Sequence, residues 1–319
     1  MPRPKTFTTL AKRLSLALYL GCSLTSVGGL SIGLTGATAV GFSQDAQAAI
    51  PSTRTILGRM ARHNGQGAFI VEQEVRLNTG REPLIFKERW LVENGDTMRL
   101  VVTGLKATDW RWDAIYRDGK RIASPAFEGG SRDLKTTEAS KEFLEPFLHH
   151  RAASKFIDLL IRNKMLPSAA AKERPRVTVS QGKVLTEVGV RLARSGGVVT
   201  WAFGEPTPIG AAREFPGAWI EQDAFLLRKL RLPTQAQMTL QNHKRFPGGI
   251  HLPQERTITW PNPQDPQAAP FSANIRLLSV RSQGEGKLAS SMQPSSIGAS
   301  ELKAARLPDE ARDFYMRFR

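Results

Sequence analysis

The chain has 319 residues with 45 basic and 29 acidic side chains, a formal net charge of +16, and one cysteine. Its 40% hydrophobic fraction is enough for the core of one large or two small domains, and a lone cysteine excludes an internal disulfide framework and a thiolate metal cluster. The basic residues stand singly, as in RLARSGG and LLRKLRL, so they read as the solvated face of a sheet rather than a nucleic-acid-binding run.

The first segment, MPRPKTFTTLAKR, is basic, an apolar stretch follows, and Ala46, Gln47 and Ala48 form an A-x-A site. That order is expected of a cleaved export signal over residues 1–48, with an uncleaved anchor as the alternative. Cys22 lies inside this segment; Tyr19 and Leu20 before it fit a lipid-attachment site poorly, so outer-membrane attachment is the lesser reading. Residues 1–48 carry a net +3, leaving +13 for the remainder, a charge that draws an exported protein toward anionic membrane surfaces or acidic partners.

PSTRTILGRMARHNG predicts a first helix capped by Ser52, with Ile56, Leu57 and Met60 on one face and Gly65 at its end. From Phe69 the period becomes two. Phe69, Val71, Val75 and Leu77 share one face, then Phe86, Trp90 and Val92, and, after an Asn94-Gly95 turn, Met98, Leu100 and Val102. Strands joined this tightly are antiparallel. Residues 137–166 read as a helical insert split at Pro146, with Phe143 and Phe147 flanking the break and Phe156, Ile157 and Leu160 on one stripe. The β pattern then resumes with turns such as Ser195-Gly196-Gly197, and five of the six tryptophans fall in strands. Residues 283–319 have linker composition followed by a short amphipathic end, expected as a loosely packed tail or as a membrane or partner contact.

Few residues suggest chemistry. A nucleophile elbow, a P-loop and a zinc-protease helix are all missing from the sequence. His149 and His150 adjoin in a helix, point about 100° apart, and read as solvent-facing rather than metal ligands. Glu72 and Glu74 face water, whereas Glu88 shares parity with Phe86 and Trp90 and points inward, where a carboxylate calls for an arginine partner or acts as an acid catalyst. In HKRFPGGIHLPQERTITW, Phe246, Ile250, Leu252, Ile258 and Trp260 are even-numbered and His251 is odd, so His251 leaves on the opposite face and the stretch is sheet wall. Pro253 marks an edge or bulge there.

AFIVEQEVRL, FKERWLVENGDTMRLVVTG, YRDGKRI and FPGGIHLPQERTITW followed by ANIRLLSVR, across about residues 50–282, resemble the LolA-like family of periplasmic outer-membrane lipoprotein carriers. The resemblance implies an α+β fold, an antiparallel unclosed half β-barrel with an N-terminal helix and a helical lid. It also implies a non-enzymatic chaperone of outer-membrane biogenesis, without cofactor or metal, binding the acyl chains of a lipoprotein or lipid and meeting a membrane-associated donor or acceptor. A periplasmic lipid-sensing or protein-interaction module of the same fold is the alternative, and an unrecognised hydrolase a distant third. Candidate acyl-chain contacts are Val71, Phe86, Trp90, Met98 and Leu100 in the first half and Trp201, Ile250, Leu252, Ile258 and Trp260 in the second; lid candidates are Phe143, Phe147, Phe156, Ile157 and Leu160. Parity leaves open whether they line a cavity or fill a core. The strong charge and the extension after about 283 depart from a minimal carrier, and the family's lid-latching arginine maps onto no single residue.

Overall fold

The computed structural model describes residues 51–107, 109–124, 133–171, 177–180, 183–186, 190–298 and 306–319. The expected export signal and Cys22 lie outside them. Helix α1 (Thr53–Arg62) starts where Ser52 accepts a hydrogen bond from the Thr55 amide at 3.2 Å, and it buries Ile56, Leu57 and Met60. Among the described residues no helix is long and apolar enough to cross a membrane.

Six strands follow α1 in order: β1 (Ala68–Asn78), β2 (Leu84–Val92), β3 (Thr97–Gly104), β4 (Arg111–Arg117), β5 (Lys120–Ala123) and β6 (Lys135–Glu138). An insert carries α2 (Pro146–His149), α3 (Ala153–Arg162) and a separate two-stranded ribbon, β7 (Val177–Ser180) with β8 (Lys183–Thr186). The second half runs β9 (Val190–Ser195), β10 (Val198–Phe203), β11 (Gly217–Glu221), β12 (Leu227–Arg231), β13 (Gln237–Arg245), β14 (His251–Trp260) and β15 (Phe271–Gln283). Among the described residues thirteen strands make one sheet in the order β6-β5-β4-β3-β2-β1-β15-β14-β13-β12-β11-β10-β9, with antiparallel neighbours throughout. The chain thus walks out to one edge at β6, crosses through the insert, and walks back from the other edge at β9. The two edges do not pair, so the barrel is unclosed.

Turn chemistry supports that meander. Asp118 and Gly119 both have positive φ (50° and 78°), as do Gly196 and Gly197 (57° and 85°), the pairing that lets a two-residue hairpin turn match strand twist. A bulge where β15 meets Glu72 and Gln73 adds local bend at the middle of the sheet. Pro253 sits in β14 before pairing with β15 begins at Glu255, so the missing N–H falls on a locally free edge.

Two expectations change. Pro146 does not split a helix: residues 135–138 form edge strand β6, and Pro146 opens α2 at its first turn, where a missing N–H costs nothing. The end of the chain is not a loose tail. Leu288 and Met292 pack on Ala68, Ile70 and Leu91 on the outer face of the sheet, and a last helix, α4 (Asp309–Phe318), buries Ala311, Phe314, Tyr315 and Phe318 on the inner face. A short aromatic-rich amphipathic helix is unstable alone and finds stability by docking its apolar stripe.

Candidate functional site

The inner face is built by strand parity. Val71 from β1, Phe86 and Trp90 from β2, and Met98 and Leu100 from β3 meet Trp201, Ile250, Leu252, Ile258 and Trp260 from the other wing in one buried apolar cluster. Phe143, Phe147, Phe156, Ile157 and Leu160 of the insert join it. Phe143 stacks on Tyr116 at 4.4 Å between ring centres and on Trp90 at 6.2 Å. All fifteen expected side chains are thereby brought together on one side of the sheet.

Helix α4 covers much of that face. Phe314 and Phe318 lie 5.7 and 5.2 Å from Trp260, and Tyr315 makes edge contacts with Phe86 at 5.4 Å and Trp112 at 5.8 Å. Arg317 clamps the helix to the insert through Glu142 at 2.6 Å. The chain's own aromatics therefore occupy the groove. Beside Val71, Leu252 and Arg256 the space left is only about 10 Å³, about one water's worth.

A buried charge cluster sits inside this apolar surround. Glu88 is fully buried, and its carboxylate accepts from Gln73 Nε2 at 2.5 Å, Trp90 Nε1 at 3.2 Å and Arg319 Nε at 3.1 and 3.2 Å. Glu145, just ahead of α2, accepts from Arg256 Nη1 at 2.8 Å and lies 3.3 Å from Arg319 Nη1 and 3.4 Å from His149 Nε2. Arg256 also reaches Gln73 Oε1. Burial works to raise the Glu145 carboxyl, but Arg256 and Arg319, helped by His149, hold it well below the usual carboxylate range. Arg319 stays charged for the converse reason: burial opposes its charge, and Glu88 and Glu145 more than offset that. Two carboxylates and two guanidiniums balance, which is the condition for tolerating charge in a core.

The inward Glu88 thus has the arginine partner that its parity called for, and that partner engages both carboxylate oxygens. Arg256 shares the even parity of Ile258 and Trp260 and is legible by the same rule. Arg319 and Glu145 had no such signal. His149 and His150 correct the solvent-facing expectation: they are 2% and 6% exposed. Asn64 Nδ2 donates to the His150 carbonyl at 2.6 Å, which draws this segment against the end of α1. His251 does leave the apolar cluster, and its ring meets His63, Nδ1 to Nδ1 at 3.2 Å. No group of three or more His, Cys, Asp or Glu suited to a metal occurs among the described residues.

A cleft of about 320 Å³ opens at the rim between α3, the Gly95-Asp96 loop and the Asp118-Gly119 turn. Met98, Tyr116, Phe143 and Leu159 line its apolar part and the Asp96–Lys155 ion pair, at 3.0 Å, stands in its wall. His150 also borders it, and burial pushes that imidazole down to about 4, with Lys155, His149 and Arg162 adding to the shift and Asp96 opposing it. The unfolded chain takes up this proton near pH 6.5, the folded chain only near 4, so the fold loses stability as pH falls between those values. The loss expected from this ring is on the order of 3 kcal/mol. Urea unfolding from pH 7 to pH 4 should show it, and His150→Asn should flatten the dependence; an equally steep curve in the variant would contradict the assignment.

No protein-family model matches the chain. No curated protein matches it either. Among solved structures, a LolA superfamily protein from Nitrosomonas europaea is 10% identical, with 78% of this chain and 97% of that one covered and a TM-score of 0.44. A domain assigned to outer membrane lipoprotein sorting from Vibrio parahaemolyticus is 13% identical, covering 79% and 98%, also at 0.44. A DUF1329 family protein from Desulfovibrio piger is 10% identical, covering 77% and 98%, again at 0.44. The unclosed α+β architecture stands on the chain's own strand order.

Proposed function

We propose that the chain is an exported, non-enzymatic carrier of the periplasm, and that its inner face takes acyl chains of a lipoprotein or lipid when α4 moves aside, for transfer toward the outer membrane. One observation supports this above the others. The aromatic face of an unclosed sheet is roofed by a separate ten-residue helix instead of by a second sheet or by barrel closure. Such a roof can be exchanged for another apolar body. Burying Leu307, Phe314, Tyr315 and Phe318 is worth about 6–12 kcal/mol gross, and a chain of about sixteen carbons returns about 12 kcal/mol. Counted on apolar burial alone, the exchange is near balance. The insert bridging the two sheet edges serves as the lid, and the +13 charge outside the export signal brings the carrier to anionic membrane surfaces and to a membrane-associated donor or acceptor.

The filled groove also favours a second reading, a protein-interaction or sensor module in which α4 is permanent structure. Native mass spectrometry with lipid extraction, on protein taken from the periplasm of its own host, separates the two. Bound acyl species are expected for the carrier. A clean apo mass with no uptake of added phospholipid or lipoprotein would leave only the interaction module.

A further inference from the structure

The groove under α4 is not uniformly apolar, because the helix delivers a cation into it. Arg319 is fully buried, lies between the carboxylates of Glu88 and Glu145, and has its guanidinium 5.9 Å from the Trp90 ring centre. Tyr116 adjoins the same place, 5.9 Å ring to ring from Trp90, and its buried hydroxyl has no hydrogen-bond partner among the described residues. If α4 leaves, Glu88 keeps Gln73 and Trp90 as donors and Glu145 keeps Arg256 and His149, but two carboxylates then face one guanidinium. A plain acyl chain in place of α4 would strand a buried negative charge, and breaking a buried ion pair is strongly unfavourable. The occupant best matched to the vacated groove is apolar along its length and cationic at one end.

We propose that the space filled by Arg319 is a cation subsite, and that the ligand which displaces α4 is a long-chain amine whose ammonium takes the guanidinium's place between Glu88 and Glu145 against Trp90. This rests on the carrier reading and names its ligand class: an ammonium-bearing amphiphile rather than a free fatty acid or an uncharged chain. The parts are those that recognise ammonium groups generally, two carboxylates and an electron-rich ring in a water-poor site. In the closed state α4 is the stand-in for that ligand, with Phe314 and Phe318 in place of the chain and Arg319 in place of the head.

The test uses the full chain with Arg319→Ala and three probes of equal length, dodecylammonium, dodecanol and dodecanoate, each below its micellar concentration or, for dodecanol, its solubility limit. Binding is read by calorimetry and by the shift in unfolding temperature. Dodecylammonium should bind Arg319→Ala at least tenfold tighter than the other two and restore several degrees of lost unfolding temperature, and adding Glu88→Gln should abolish both effects. Should Arg319→Ala fail to fold, Phe318→Ala, which loosens the helix but keeps the ion pair, takes the same panel with the same expected order. Equal binding of all three probes would overturn the cation subsite while leaving chain binding in place. Binding of none would overturn the carrier reading with it.

Discussion

Arg256→Met is expected to lower the unfolding free energy by about 3–5 kcal/mol, because it leaves Glu145 charged, buried and short of its nearest partner. The side chains of Arg256 and Glu145 are 5% and 2% exposed, and their 2.8 Å contact ties β14 to the start of α2, residues 111 apart in sequence. What remains around Glu145 is weaker: Arg319 at 3.3 Å, shared with Glu88, and His149 at 3.4 Å. The double variant Arg256→Met, Glu145→Gln removes both charges and should recover a large part of the loss. Urea unfolding of the four proteins in the cycle measures the coupling. Strict additivity, or a single-variant loss under about 1 kcal/mol, would show that this pair does not hold the insert to the sheet.

Trp260→Ala should cost about 3–5 kcal/mol as well, for a different reason: it opens a hole where three rings converge. Trp260 is 1% exposed and lies 6.0 Å from Phe271, 5.7 Å from Phe314 and 5.2 Å from Phe318. Two of those rings belong to α4, so the variant should free the helix as well as weaken the sheet, and amide exchange across residues 309–318 should speed up. Trp219 is the control. It is 9% exposed, stands outside the main cluster, and is flanked by Lys229 and Arg231 at 5.1 and 5.3 Å from its ring. Trp219→Ala should cost clearly less and leave exchange in α4 unchanged; equal losses from both tryptophans would contradict a groove centred on Trp260.

Much of this site was readable from alternation. A strand's side chains switch faces at every residue, so Phe86, Glu88 and Trp90 had to share a side, and one of them is a carboxylate. Asp118-Gly119 and Ser195-Gly196-Gly197 announced hairpins because positive φ at consecutive positions suits few other residues. Ser52 announced α1 through its hydroxyl. These are local rules, and local rules reached the antiparallel strands, their inner face and the inward carboxylate, whereas the unclosed barrel was only what the family resemblance implied.

Partners across the fold were not readable in this way. The sequence alone determined that Glu88 points inward; only the tertiary structure decided that Arg319, 231 residues later, neutralises it. The sequence likewise shows a short amphipathic end to the chain, but such a segment does not name the surface it will cover, and only the fold places Phe314, Tyr315 and Phe318 against the sheet. His149 and His150 look like surface residues of a polar insert until Asn64 and Glu145 draw that insert down onto the sheet. Side-chain direction follows from backbone geometry within a few residues, whereas burial and charge pairing depend on which distant segments the chain brings together. That difference is why parity found the apolar face and why only the folded chain showed it covered by α4.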